Sequence, residues 1–212
     1  MMFNYNIIRS KRKTVTVSVT SDNIITVRCP QSMSDKAIND FIDTKSEWLY
    51  KVLAKNNINR ENNDGILNYR EIFVGGQKLP LIFGERNKVE GDTVFVKNIP
   101  SIKKTLVKYY SADLISFANQ ISAQIKLQAT GFSVKSYKAR WGCCDRKGDI
   151  TFNCLLIMLP PYLQRYVIIH ELCHTEYFDH SQKFWNLVAK FELNYKLYRK
   201  NLKNFNYLTK LY

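Results

Sequence analysis

The sequence lacks long apolar segments, and its cysteines are too few and too irregular to form a disulfide framework. No run of about eighteen apolar residues occurs, so no membrane-spanning segment is expected. The start of the chain, Met1 to Asn6, has no apolar region of the kind found in secretory signals. The five cysteines are an odd number and contain no Cys-x-x-Cys pair. These absences predict a protein of the reducing cytoplasm with no membrane partner.

Histidine is also scarce, and its distribution is uneven. The chain has three histidines, and all of them lie between residues 170 and 180. Residues four apart share one face of a helix, so His170 and His174 can present two imidazole nitrogens to one ion. His180 follows the expected helix end, where a chain that turns back can supply a third ligand. Three protein ligands and an open water position are typical of a catalytic zinc site.

Chance is the alternative explanation for a His-Glu-x-x-His pattern, since a histidine on an apolar helix is usually a core residue. Here the flanking residues Val167–Ile169 and Leu172 predict a helix that is buried on most sides. Two histidines and Glu171 inside such a helix would be costly to bury without a partner. The sequence therefore favours a metal site over coincidence.

The chemistry expected of such a site is hydrolysis. Zinc lowers the pKa of a bound water to roughly 7, and Glu171 is placed to act as general acid and base. A peptide amide is the default substrate, so a peptide or protein is the expected partner. Zinc is preferred to manganese or nickel only from ligand type and availability.

The net charge of +14 is the main feature that favours a partner other than a peptide. It would favour anionic partners, such as nucleotides or nucleic acid. The basic residues are dispersed, however, which favours a solvated basic surface over a nucleic-acid site. The sequence does not indicate an oligomeric state.

Residues 1–98 read as a mostly β module with one helix. Alternating residues predict strands over 4–29, with a turn at Ser21–Asn23. An amphipathic helix is expected from Ser34 to about Leu53, followed by a polar linker over 56–65. Two hairpin-like stretches follow, over 71–83 and 89–96.

Residues 99–212 read as a second, more helical part. The patterns predict a long helix from Pro100 to near Thr130, followed by two strands over 132–137 and 149–153. The metal helix then begins at Pro160. Two further helices are expected, one after Ser181 and one from Tyr195. The fold class is therefore α+β, with a helix-borne metal site in the second part. The two parts, 1–98 and 99–212, are expected to pack as one unit.

The segment before the metal helix contains other candidate functional residues. Arg140 can stabilise an oxyanion or hold a substrate carboxylate or phosphate, but an arginine paired with a core carboxylate is an equal alternative. Cys143 and Cys144 are neighbours, so they cannot readily share one tetrahedral ion and are expected to be buried structural thiols. The aromatic residues Trp141, Phe184 and Trp185 favour packing over recognition.

The order of these motifs resembles one family of zinc hydrolases. Metzincins also have a histidine six residues after the second ligand, but they have glycine where Tyr177 stands and a methionine turn downstream, whereas the last methionine here is Met158. The better match is the YgjP-like metal-dependent hydrolase family, a relative of the SprT-like zincins. The matching segments are Arg-Trp-Gly-Cys-Cys at 140–144, a strand at 150–153, Pro160, the helix at 166–174 and Asp-His-Ser-Gln-Lys-Phe-Trp at 179–185.

The resemblance is specific over residues 138–185 and weaker upstream. It implies a zincin-like catalytic domain, a metallopeptidase activity, His170, His174 and His180 as zinc ligands, and Glu171 as catalytic acid and base. Cys143 stands where the family usually has serine, so a weaker thiol donor replaces the hydroxyl. Two other functions remain open: a metal-dependent nucleotide phosphoanhydride hydrolase, and a non-enzymatic nucleic-acid-binding protein with a structural zinc.

Overall fold

The computed structural model describes residues 3–20 and 23–212, so Ser21 and Asp22 of the predicted turn lie outside the described residues. The chain forms two compact units, Met1–Asp64 and Gly65–Tyr212, and belongs to the α+β class. The division expected from the sequence lay at residue 98. The observed boundary is earlier because Ile72 and Val94, on the strands of the 71–96 region, are buried in the same core as the helices that follow.

The first unit contains a small mixed sheet. Its strands are β1 (Tyr5–Ser10), β2 (Thr16–Val19) and β3 (Ile25–Pro30), in the order β1-β3-β2. β2 pairs antiparallel with β3, as the alternating pattern predicts, whereas β1 pairs parallel with it. The sheet buries one face against the helices of this unit, and the core comprises Ile25, Val27, Cys29, Ile38, Ile42 and Leu49.

The helical segment of the first unit differs from the single helix and linker expected. The structure has α1 (Asp35–Thr44), capped by the Ser34 hydroxyl, and then α2 (Ser46–Asn62). α2 continues through most of the segment predicted to be a polar linker. Its Asn56 amide donates to the Thr20 carbonyl at 2.9 Å and to Asn23 Oδ1 at 3.0 Å. These contacts hold a polar sequence in a helical conformation, which periodicity alone does not reveal.

The second unit begins within the short helix α3 (Asp64–Leu67), which is followed by a sheet that contacts the segment before residue 161. Its strands are β4 (Glu71–Val74), β5 (Gln77–Phe83), β6 (Lys88–Glu90) and β7 (Thr93–Val96), in the order β4-β5-β7-β6. The β4–β5 turn contains Gly75 and Gly76, both with positive φ. Their N–H groups donate to the carbonyls of Ile157 and Met158 at 2.8 and 3.0 Å. The turn is thereby bonded to the segment that leads into the metal helix.

A long helix and a second sheet follow. α4 (Ser101–Ile125) ends at Lys126, whose φ of 58° breaks the helix before the Thr130 expected from the sequence. The strands are β8 (Gly131–Lys135), β9 (Gly142–Cys144) and β10 (Asp149–Asn153), in the order β8-β10-β9. β8 is parallel to β10, and β9 is antiparallel to it. The sequence did not predict β9, which is three residues long.

The remaining elements carry the candidate site. A 3-10 helix, Cys154–Met158, precedes α5 (Pro161–Cys173), and α6 (Gln182–Phe191) follows it. The single surface helix predicted from residue 195 is wrong. The segment forms α7 (Tyr195–Leu202), a 3-10 turn and α8 (Leu208–Leu211). Leu208 is fully buried, and the Tyr69 hydroxyl donates to the Leu211 carbonyl at 3.0 Å, so this segment closes the core.

The core of the second unit is built around α4, α5 and the 3-10 helix before α5. All five residues of that 3-10 helix are buried, and so are Val167, Ile168 and Ile169 on α5. α5 is therefore fixed on several sides, which holds the side chains that project from its last turn. Within residues 3–20 and 23–212, no helix combines the length and apolar character needed to cross a membrane.

Candidate metal centre

The three histidines of the chain converge at the C-terminal end of α5. His170 lies in the last turn of the helix, and His174 follows it at the C-cap position with helical φ and ψ. The chain then turns back, so that His180 faces both of them just before α6 begins. One ligand atom from each ring lies within 4.8 Å of the others. The spacing that predicted a shared site is therefore matched by the positions of the side chains.

The distance between two of the rings suits one small cation. His170 Nε2 and His180 Nε2 are 3.2 Å apart. Two zinc–nitrogen bonds of about 2.0–2.1 Å at a tetrahedral angle place their nitrogens about 3.3 Å apart. Three imidazoles are also a donor set found in catalytic zinc sites. The residues present therefore fit a zinc ion.

A hydrogen bond determines which nitrogen of His174 faces the cluster. Its Nδ1 lies 2.9 Å from the Tyr177 carbonyl, so Nδ1–H donates and Nε2 keeps its lone pair. A carbonyl partner of this kind fixes the ring orientation of metal-binding histidines. The Nδ1 atom of His170 is buried, and no described residue forms a hydrogen bond with it.

The surroundings of His170 and His174 favour the neutral form of both rings. Burial, together with the positive charges that His174, His180 and Arg199 can carry, lowers the pKa of His170 to about 3. Burial is also the main reason that the pKa of His174 is lowered. Since a metal ion binds only the neutral ring, these imidazoles are ready to bind a cation at neutral pH without first releasing a proton.

One aromatic ring packs against all three imidazoles. Phe184 on α6 is fully buried, and its ring centroid lies 4.9, 4.5 and 4.8 Å from those of His170, His174 and His180. Trp185 lies beside it, 5.8 Å from the His170 ring and 5.6 Å from the His180 ring. Phe184 matches the packing role expected from the sequence, and its packing partners are the candidate ligands themselves.

Glu171 is the buried acid of the site. It is 6% exposed, and its side chain lies against the backbone of β9. A Cβ at Gly142 would lie 2.9 Å from Glu171 Oε1, so glycine is needed there for the carboxylate to fit. Burial raises the pKa of Glu171 to about 8, and the positive charge of Arg140 opposes that rise. A carboxyl group in this range can both accept and return a proton near neutral pH.

Arg140 is exposed and lies on the Glu171 side of the site. Its guanidinium carbon lies 5.6 Å from the ring centroid of Tyr137. In the described part of the chain it forms no ion pair, and its positive charge acts on the buried carboxyl group of Glu171. The Asn153 amide donates to the carbonyls of Tyr137 and Arg140 at 3.1 and 2.8 Å. Asn153 is fully buried and holds this loop, a role that the sequence did not reveal.

The adjacent cysteines are half-buried thiols of β9. Cys143 Sγ lies 3.3 Å from the Tyr137 hydroxyl, so the thiol faces a neighbouring side chain. Burial raises the pKa of Cys144 to about 11, which keeps that group protonated at neutral pH. Among the described residues, the only grouping suited to a metal is the histidine cluster.

Arg199 on α7 is a further charged residue near the site, and sequence analysis missed it. Its guanidinium carbon lies 4.8 Å from the ring centroid of Trp185. In the sequence it lies within a lysine-rich helix that reads as a solvated surface. Only the packing of α7 against α5 distinguishes it from its neighbours, so no local signal was available.

Comparison with known protein families identifies one family for the chain. A family model described as the YgjP-like metallopeptidase domain matches residues 13–205. No curated protein matches the chain. Among solved structures, the chain is similar to the metallopeptidase zymogen of Pyrococcus abyssi abylysin, with 22% identity, 42% of this chain and 90% of that chain covered, and a TM-score of 0.38. Because the family model spans most of its length, the chain belongs to the YgjP-like metallopeptidase domain family.

Proposed function

We propose that this metallopeptidase is a zinc enzyme in which His170, His174 and His180 hold the ion and Glu171 is the general acid and base. The proposal rests on one observation, the convergence of one ligand atom from each of three imidazoles to within 4.8 Å of one another, with the buried carboxyl group of Glu171 on the same helix as His170. Zinc, when bound, lowers the pKa of a water to roughly 7 and polarises the scissile carbonyl.

The residues of the chain supply the proton transfers and the orientation. Glu171 accepts a proton from the attacking water and returns it to the leaving amine, which its raised pKa of about 8 favours near neutral pH. Gly142 leaves the space in which that carboxyl group lies. The hydrogen bond from His174 Nδ1 to the Tyr177 carbonyl keeps the ring turned toward the cluster.

Arg140 is proposed to bind the substrate. It is exposed, it forms no ion pair among the described residues, and its charge acts on Glu171. A guanidinium in this position can donate to the oxygen that becomes negatively charged as the peptide bond is attacked. We place the enzyme in the cytoplasm, and the five free cysteines support a reducing compartment.

The test is hydrolysis of casein by the zinc-loaded protein, with Glu171→Gln as the control for chemistry. We expect cleavage that is lost on chelation, restored by zinc and abolished by the substitution, because the substitution keeps the shape of the side chain and removes its proton chemistry. Nucleoside triphosphates are assayed in parallel. Zinc-dependent turnover of triphosphates without casein cleavage would overturn the peptidase proposal.

A further inference from the structure

We infer that Arg199, held on the face of Trp185, forms a subsite for a substrate carboxylate beside the metal centre. The inference rests on the proposed function, since it assigns a ligand to the surface next to the same histidines. The carboxylate can come from an acidic side chain or from the C-terminus of a peptide, and the experiment below separates these two sources.

The position of the guanidinium is set by two aromatic rings. Trp185 stacks on Tyr195, with ring centroids 5.5 Å apart and an interplanar angle of 17°. Arg199 lies 4.8 Å from the Trp185 ring centroid, within the range of a cation–π contact. α6 and α7 thereby hold a side chain that would otherwise move freely on an exposed helix. Because the Arg199 side chain is already held in place, it loses less conformational entropy when a ligand binds.

The Trp185 ring that contacts Arg199 also lies beside the candidate metal centre. The Trp185 ring lies 5.6 Å from the His180 ring and 5.8 Å from the His170 ring. One indole ring therefore links the guanidinium to two candidate ligands. The charge of Arg199 also acts on His170 and on Tyr166, one helical turn earlier on α5. A group bound by Arg199 would lie next to a peptide bond held at the histidines.

The guanidinium is available to a ligand. Arg199 is exposed and forms no ion pair or hydrogen bond with any described residue, whereas Arg165 on the same unit pairs with Glu192 at 3.5 Å. Stacking on a ring face leaves the N–H groups at the edge of the guanidinium free to donate. That edge matches a carboxylate bidentately, which a lysine cannot do.

Arg199 and Arg140 serve different parts of the substrate. Arg140 lies near Tyr137 and acts on Glu171, while Arg199 acts on His170 from the α7 side. The net charge of +14 favours acidic substrates in general, since it raises their encounter rate. Arg199 adds a fixed position at which one carboxylate is bound.

Peptide binding to the zinc-loaded Glu171→Gln protein tests the inference without turnover. Three short fluorescent peptides are compared by anisotropy: one with a central Glu and an amidated end, its Gln counterpart, and that Gln peptide with a free terminal carboxylate. We expect one of the carboxylate peptides to bind about tenfold more tightly than the neutral one. Adding Arg199→Gln should remove this preference, and Arg199→Lys should restore only part of it.

The matched control is Lys200→Gln, which removes the same charge from the next exposed position of α7. It should leave the preference intact. Preference for the Glu peptide assigns the carboxylate to a side chain, and preference for the free terminus assigns it to the chain end. Equal binding of all three peptides overturns the inference. It is also overturned if the preference for a carboxylate peptide survives Arg199→Gln, or if Lys200→Gln removes that preference to the same extent. Failure to cleave casein would instead count against the proposed function alone.

Discussion

Gly142 and Glu171 are in such close contact that a single methyl group would not fit between them. A Cβ at residue 142 would lie 2.8 Å from Glu171 Cγ and 2.9 Å from Oε1. The edge strand β9 therefore determines where the acid of the site lies, although the two residues are 29 positions apart in the sequence. The catalytic role proposed for Glu171 depends on this contact.

Gly142→Ala should reduce peptide hydrolysis about 100-fold, since a displacement of about 1 Å in a catalytic group can have an effect of that size. The zinc affinity should stay nearly constant, because the three atoms nearest to a Cβ at residue 142 all belong to Glu171. The measurement is kcat/KM on casein-derived peptides together with zinc titration.

Gly84→Ala is the matched control for this substitution. A Cβ at Gly84 meets no atom within 4 Å, so the same chemical change should leave activity near the wild-type level. Full activity in Gly142→Ala would mean that the position of Glu171 does not matter for the reaction.

The helix-borne part of the site was predictable because it depends on local spacing. His170 and His174 are four residues apart on a helix whose apolar neighbours are readable in the sequence. The return of the chain to His180 was expected from its position just after the helix end. In the structure, these three residues are the ones that lie together.

The rest of the site was not predictable because it depends on contacts between distant segments. β9 is too short to give a periodic signal, so its position beside Glu171 emerges only from its pairing with β10. Arg199 lies in a lysine-rich helix and differs from its neighbours only in what it packs against. The contact of Asn153 with the 137–140 loop is of the same kind.

Phe184→Leu should weaken zinc binding about tenfold, because the ring supports all three imidazoles and supporting contacts of metal ligands typically have effects of 10–100-fold. The measurement is a competitive zinc titration with a chelating dye. Phe191→Leu, on the same helix and half-buried, controls for a general loss of stability. Equal zinc affinities in the two variants would show that Phe184 contributes only to packing.

The metal-free protein should become less stable than its Glu171→Gln variant as the pH rises. Burial raises the pKa of Glu171 to about 8 from an ordinary 4.5, although Arg140 opposes the shift. The folded state therefore keeps a proton that the unfolded chain releases above pH 4.5. This contribution to stability is complete below the unfolded pKa and is lost as the pH rises through the folded one.

Thermal unfolding of the two metal-free proteins at about pH 5 and about pH 8 measures this effect. We expect the Tm of the wild type to fall relative to that of Glu171→Gln between the two values. Glu176→Gln removes an exposed carboxyl group, so the difference between its Tm and that of the wild type should be the same at both pH values. A constant difference between wild type and Glu171→Gln would argue against a buried, protonated carboxyl group.

Gly76→Ala should destabilise the fold more than Gly75→Ala. Both residues have positive φ, which costs about 1–2 kcal/mol for a residue with a Cβ. At Gly76 the added Cβ would also lie 2.9 Å from the Pro160 Cα, whereas at Gly75 it meets no atom within 4 Å. Overpacking of this kind typically adds about 1–3 kcal/mol. Urea unfolding measures the free energy of unfolding of both variants, and the difference between them reports the contact between residue 76 and Pro160. An equal loss of stability in the two variants would mean that the β4–β5 turn does not support the start of α5.

The coordination of zinc is tested most directly by X-ray absorption at the zinc edge of the loaded protein. Three imidazole nitrogens and one oxygen, all at about 2.0–2.1 Å, are the predicted first shell. Replacing His180 with alanine should remove one of the three imidazoles. Sulfur scattering at about 2.3 Å, or fewer than three imidazoles in the wild type, would contradict a site built from His170, His174 and His180.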